Sequence, residues 1–451
     1  MHQFTNLYRS IIGLVSLNAI NYLIIFFISI VIFRTVDKNF YGFYVLILSI
    51  FAFPDLLTAG LNQSIQRFFK EEICHDAKLG IIKGILVYKI LIFLIFISLI
   101  LIAFFLEFDK FLLKNAELVQ EKLLIFLFIA GINFLLSIFL GIFESILNSA
   151  DLFLRVTKIG LIRNAFYLVI VLCYSHFFNQ YEIYLISSTI LSVIVLLYYS
   201  SLLSSRVSEF RIKRVLKTRF SADIAKEYII PYSFPLTISS LLTYSKNHLP
   251  ILFLGKYFDL TEVSIFSIIK TLFKALHSVA GSFFDPMLAY FVKMKKNKLE
   301  LRKKLNTIIY STFIFRALIA LFLFFVSDLF FQIYKINIHA QNSFVFDTLA
   351  FEFILAGILS VFTLRLKLNE NTKKILFSNW IRFFIEVPLI MFLIPKYGIM
   401  GSALTLLISR YFESITSFLL LIHHRILIGS GILLILFLPV IIFIIFELAS
   451  L

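Results

Sequence analysis

The chain has 451 residues, 60% of them hydrophobic and 15% charged, with 42 Lys and Arg against 26 Asp and Glu for a formal net charge of +16. Soluble globular domains do not have this balance; polytopic membrane proteins do. Two cysteines, Cys74 and Cys173, exclude a disulfide framework, lack metal-ligand spacing and are read as small apolar fillers.

In chain order, the N-terminal MHQFTNLYRS leads into an apolar run too long for a signal-peptide core and without a small-residue cleavage site, so it is read as a retained first span. Apolar runs of the length needed to cross ~30 Å of hydrocarbon fall at 11–33, 41–63, 84–107, 122–147, 160–178, 183–203, 228–254, 263–291, 307–333, 346–366, 375–395 and 399–422. A further run at 426–448 is either a thirteenth span or a helix lying on the membrane surface, its near-total apolarity favouring a span. The expected fold is therefore all-α and polytopic, with 12–13 transmembrane helices. Its parts are an N-terminal six-helix lobe over 1–203, a basic linker over 204–227, a C-terminal six-helix lobe over 228–425 and an additional hydrophobic helix over 426–451.

Loop charge sets the expected orientation. With the N-terminus in the cytoplasm, the inner loops hold Arg67, Lys70, Lys78 and Lys83, then Arg155, Lys158 and Arg163, then the dense basic stretches 204–220, 293–304 and 365–374. Roughly 27 cations then lie inside, roughly 8 outside and about 7 within spans. Cytoplasmic loops account for the basic clusters, no nucleic-acid-binding pattern accompanies them, and nucleic acid is not expected as a partner. No predicted loop exceeds about 25 residues, which leaves no room for an external catalytic domain.

The halves look related. VIFRTVDKNFYGFY (31–44) and LFLGKYFDLTEVSIF (252–266) align at an offset of 222 residues, pairing Arg34 with Lys256, Asp37 with Asp259 and Tyr44 with Phe266. Six spans plus the central basic stretch separate them. An even number of spans makes the repeats parallel in the membrane, a known transporter design with the substrate site at the repeat interface.

Ionisable groups inside spans are the best pointers to function, since a charge at bilayer depth costs at least ~2.5 kcal/mol. The eighth run carries Lys270, Lys274 and His277 at i, i+4, i+7, one helical face, with Asp285 near its inner end. The seventh carries Ser239, Thr243 and Lys246 at the same spacing, with Asn247 and His248 beside them and Pro250 expected to interrupt the helix and expose a carbonyl. Asn18 and Asn21 in the first run, and Asp55, Thr58 and Asn62 in the second, form similar stripes. Cations outnumber carboxylates there, which suits an anionic substrate, lysine being a point-charge phosphate binder. Arg316 in the ninth run has no local partner and joins this set. Asp55 and Glu144 are the candidates for ion coupling. Lys89 is expected to snorkel to an inner headgroup. Arg382 with Glu386, and Arg410 with Glu413, are spaced to pair along their helices and are read as packing pairs. There is no Gly-rich phosphate loop, metal-ligand cluster or nucleophile motif, so no enzyme activity and no cofactor are expected.

FYGFY after the first run, DLLTAGLNQSIQRFF in the second, LGKYFDLTEVSIFSIIKTLF across the seventh and eighth, and KYGIMGSALTLLISRYFE into the twelfth resemble the Wzx-type polysaccharide flippases of the multidrug/oligosaccharidyl-lipid/polysaccharide exporter (MOP) superfamily. The resemblance implies two six-helix lobes around a central cationic cavity with alternating access. It also implies ion-coupled translocation of an undecaprenyl-diphosphate-linked oligosaccharide, an O-antigen (lipopolysaccharide) or capsule repeat unit, across the bacterial inner membrane. A lipid-linked anionic oligosaccharide, membrane lipids, a polysaccharide polymerase and a chain-length regulator would be its partners. The chain departs from the family in its odd number of runs and in a first half without the Gly-rich turn of Tyr397–Ser402. The alternatives are a cation-coupled multidrug exporter of the same superfamily, which would want buried carboxylates in the first or seventh run, where there are none, and an integral-membrane glycan polymerase, which would want a large external loop.

Overall fold

The computed structural model describes residues 2–68, 75–105, 120–150, 152–177, 182–206, 230–281, 298–337, 339–368 and 372–423, together with Val215, Thr218 and Pro439. The run 426–448 and nearly all of the stretch 204–227 lie outside them. The described residues form eleven helices: α1 His2–Thr35, α2 Lys38–Phe68, α3 His75–Phe105, α4 Gln120–Ser149, α5 Phe153–Phe177, α6 Glu182–Arg206, α7 Ile230–Tyr257, α8 Leu260–Gly281, α9 Lys298–Ile333, α10 Ala340–Leu368 and α11 Thr372–His423. Nine of these are long and apolar enough to cross a membrane. Of the other two, α7 has 28 residues and the polar stripe read in the sequence makes it less apolar, while α2 has 31 residues with Lys38–Pro54 as its described apolar part. The protein is an all-helical, multi-pass membrane protein.

At 52 residues α11 would be ~78 Å long if straight. Gly398 breaks it with φ +55° and ψ −126°, conformations open to glycine and strained for other residues. The limbs on either side correspond to the predicted runs 375–395 and 399–422. Ser378 and Ser417 bond across them at 2.8 Å, and Ser378 Oγ also donates to Glu413 O at 3.3 Å.

Two compact units divide the chain, Met1–Tyr244 and Ser245–Leu451, and the division falls inside α7. In the first unit α1 packs on α5, α2 on α4, and α4 on α6. Phe51 and Phe93 with Phe96 and Phe134 form an aromatic knot among α2, α3 and α4, with ring centroids 5.6–6.4 Å apart. Lys89 is buried in this unit and donates to Asn62 Oδ1 at 2.8 Å. It does not snorkel: turning inward gives the ammonium an acceptor that the sequence spacing did not reveal.

The second unit is built on α10, whose membrane-length window is 89% buried, more than that of any other described span. Residues from Val345 to Leu364 are buried on nearly all sides, the position of a core helix. Phe346 lies at its centre, edge-on to Phe273 at 5.3 Å and Phe331 at 5.7 Å, and tilted to Phe330 at 5.3 Å.

The predicted repeat has a structural counterpart. The break between α1 and α2 falls at 36–37 and that between α7 and α8 at 258–259, again 222 residues apart. The bonds crossing them correspond: Val36 N to Ile32 O at 2.9 Å and Tyr41 N to Asp37 O at 2.9 Å in one, Phe258 N to Leu254 O at 2.8 Å and Val263 N to Asp259 O at 3.3 Å in the other. Asp37 Oδ1 also accepts from Asn39 N at 2.8 Å, an N-cap for α2.

Candidate functional site

Within the second unit, a carboxylate that no stripe in the sequence singled out organises most of the predicted cations. Glu352 lies in the apolar core helix α10 and is 3% exposed. A carboxylate so placed needs partners. Its Oε1 accepts Lys246 Nζ at 3.1 Å and Arg410 Nε at 2.8 Å, and its Oε2 takes His277 Nε2 at 2.8 Å. The other ring nitrogen, Nδ1, lies 3.1 Å from Arg316 Nη1. Arginine only donates, so Nδ1 accepts and Nε2–H donates to Glu352, which sets the tautomer.

Arg316 is almost fully buried. Nη1 also donates to Phe353 O at 2.9 Å, and the guanidinium carbon lies 4.7 Å from the centre of the Phe353 ring. Its side chain passes over Gly357, where an added Cβ would come within 2.5 Å of Arg316 Cδ. The arginine without a local partner in sequence thus has partners on α8 and α10.

The two predicted packing pairs extend the network. Arg410 Nη1 donates to Glu413 Oε2 at 2.9 Å, and Arg382 lies 3.5 Å from both Glu413 Oε2 and Glu386 Oε2. Ser245 Oγ donates to Glu386 Oε2 at 3.3 Å. A continuous chain of ion pairs and hydrogen bonds therefore reaches every described helix of this unit, α8 through His277.

Lys270 is satisfied in another way. Its ammonium donates to Lys246 O at 3.0 Å and Asn247 O at 2.8 Å, and it stands 5.5 Å from the Phe266 ring centre. Pro250 has no N–H to give to the carbonyl four residues back, which is that of Lys246. The helix runs on through Pro250 without interruption, and Lys270 supplies the missing donor. Lys274, one turn along α8, is exposed and makes no ion pair or hydrogen bond among the described residues. The Asn247 side chain is half-buried and likewise unbonded.

Among these residues Lys246, Lys270, Lys274, Arg316, Arg382 and Arg410 outnumber the three carboxylates Glu352, Glu386 and Glu413, an excess of formal positive charge.

The predicted residues of the first unit lie elsewhere. Asn21 Oδ1 accepts from Asn164 Nδ2 at 2.8 Å, while Asn18 is half-buried and without a hydrogen bond among the described residues. Glu144 Oε1 accepts from Tyr199 Oη at 3.3 Å. The side chains of Asp55 and Arg67, and the whole of Asp285, lie outside the described residues. Among the described residues no group of His, Cys, Asp and Glu could hold a metal ion.

No protein-family model matches the sequence, and no curated protein matches it. Solved structures do. The lipid II flippase MurJ in an inward closed conformation superposes with a TM-score of 0.72 at 15% identity, over 96% of this chain and 91% of that one. An inward-facing multidrug resistance MATE transporter of the MOP superfamily gives 0.66 at 14% identity, over 91% of this chain and 97% of that one. The chain shares the fold of these transporters. A third MOP structure, a Pyrococcus furiosus transporter described as having a binding pocket of reversed polarity, gives 0.57 at 14% identity over 91% of this chain and 94% of that one. One fold is thus shared by a lipid flippase and drug transporters, and it does not by itself distinguish between their activities.

Proposed function

We propose that the protein is a flippase for an undecaprenyl-diphosphate-linked oligosaccharide, an O-antigen or capsule repeat unit, working by ion-coupled alternating access in the bacterial inner membrane with its N-terminus in the cytoplasm. The observation that carries this reading is Lys274. It is an unpaired, exposed cation on a membrane-length helix, beside a network already holding more cations than carboxylates. A diphosphate is the ligand class such a point charge attracts. Lys270, Lys246, His277, Arg316 and Asn247 would position it. Likeness to a lipid II flippase is in keeping with a lipid-linked cargo.

A multidrug exporter of cationic compounds is disfavoured. Such a cargo needs an available carboxylate, and Glu352 already faces Lys246, His277 and Arg410. For ion coupling, Glu144 remains the candidate, a half-buried carboxylate whose one hydrogen-bond partner among the described residues is the Tyr199 hydroxyl.

Lys274→Ala, in proteoliposomes carrying a diphosphate-linked oligosaccharide, is expected to slow translocation at least tenfold with unaltered protein insertion. A rate equal to that of the parent protein would overturn the assignment, and export of cationic drugs by the parent would favour the other reading.

A further inference from the structure

The stretch RVTKIGLIRNAFYL places Arg163, Asn164 and Tyr167 on neighbouring positions of one helical turn. Its arginine was expected among the loop cations, because the predicted span began at residue 160. In the structure α5 begins at Phe153, which sets Arg163 ten residues into the helix, about 15 Å from its start. It lines a cavity of about 300 Å³ inside the first unit, with α1, α2 and α6 supplying the other walls. That volume is at the lower end of the ~300–1,000 Å³ typical of small-molecule sites.

The guanidinium is only partly occupied. Nε donates to Asn164 Oδ1 at 3.2 Å, and Asn164 is itself anchored through Nδ2 to Asn21. The two terminal nitrogens make no hydrogen bond or ion pair among the described residues. Glu144, whose charge Arg163 influences, forms no ion pair with it and accepts from Tyr199 instead. An arginine at this depth with an open fork contrasts with Arg316 and Arg410 in the other unit, which are engaged.

The rest of the lining is aromatic. Tyr41, Tyr44 and Tyr167 all border the cavity. Tyr41 is braced edge-on by Phe33 at 5.1 Å and lies 6.4 Å from the Tyr44 ring. Tyr167 is pinned by its hydroxyl to Tyr184 O at 3.0 Å. The Tyr44 hydroxyl makes no hydrogen bond among the described residues. Pinned rings offer flat faces to C–H groups, and a planar fork offers two parallel donors to a carboxylate or phosphate.

We propose that this cavity is a separate binding site for an acidic sugar, a six-membered ring bearing a carboxylate or phosphate, with Arg163 taking the anion and the tyrosine faces taking the ring. It is independent of the cation network of the second unit and goes beyond the flippase reading.

The test is a ligand-observed NMR titration of the full chain in nanodiscs with four probes: glucuronate, glucose 1-phosphate, glucose and glycerol phosphate. The first two should bind at least tenfold more tightly than the last two, which lack either the anion or the ring. Arg163→Gln should remove the preference for glucuronate over glucose, Arg163→Lys should weaken glucuronate several-fold, and Tyr44→Leu should weaken both acidic sugars. If Arg163→Gln lowers the melting midpoint, the Lys variant carries the comparison. All titrations are made in the Lys274→Ala background, which removes the other proposed anion site. Equal binding of glucose, equally tight glycerol phosphate, or no change in either arginine variant would each overturn the proposal.

Discussion

At the scale of single residues, Glu352 holds three cationic or hydrogen-bonding side chains from three other helices at one buried point. Removing one partner of such a cluster typically costs ~3–5 kcal/mol, because the remaining charges stay buried without a counter-charge. Glu352→Ala should therefore lower the thermal midpoint in detergent markedly. Glu352→Gln, which keeps an acceptor oxygen, should cost less. A midpoint unchanged by Glu352→Ala would show that the network does not support the fold. Gly357 gives a sharper check. Gly357→Ala places a methyl against Arg316 Cδ, and overpacking of this kind costs ~1–3 kcal/mol. In an Arg316→Ala background the same change has nothing to strike, so the two costs should be clearly less than additive. Sequence reading found the cations but not Glu352. Lysines at i, i+4, i+7 declare a stripe, whereas one carboxylate in AFEFILAG declares none and its partners lie on other helices. The signal available was its solitude: an acid in mid-span requires a cation from elsewhere, and Arg316 was left without one.

At the scale of helices, α7 and α8 are joined by an exchange of hydrogen-bonding duties. Pro250 leaves the Lys246 carbonyl without its backbone donor, and Lys270 takes the place of the amide. Pro250→Ala returns an N–H to that carbonyl. Lys270→Met should then be less destabilising in the Pro250→Ala background than in the parent, by roughly the ~1 kcal/mol net value of a hydrogen bond. Equal penalties in both backgrounds would show that the lysine is held by something else. The sequence made the proline and the exposed carbonyl legible. It did not make legible that the helix would continue or that a lysine 24 residues on would close the gap. Lys89 and Arg163 were misplaced for a related reason. Apolar runs do not mark where a helix begins: α3 and α5 start 9 and 7 residues before the runs at 84 and 160, so Lys89 and Arg163 sit well inside their helices.

At the scale of the whole molecule, the all-helical polytopic class was readable from hydropathy alone, since in lipid the backbone must satisfy its own hydrogen bonds. The repeat was readable from fourteen residues, and the structure shows what those residues conserve between the halves: a two-residue break with matching backbone bonds on both sides. Asp37 and Asp259 occupy the same place in it. If the two junctions are equivalent, Asp37→Ala and Asp259→Ala should each cost about 1 kcal/mol, the usual value of a helix N-cap. A loss at only one of them, measured by denaturation of the full chain, would show that the likeness ends at the backbone. Function was not readable from the fold, because one architecture serves a lipid flippase and a drug transporter alike.

The hinge at Gly398 has a further implication. The limbs of α11 meet at a single residue, with no slack between them. Adding one amino acid just beyond it would spin everything downstream by about 100°. Arg410 and Glu413 would then point away from Arg382 and Glu352, cutting the electrostatic chain in two places at once. This part of the sequence should therefore tolerate exchanges of apolar side chains more readily than any change in its count of residues.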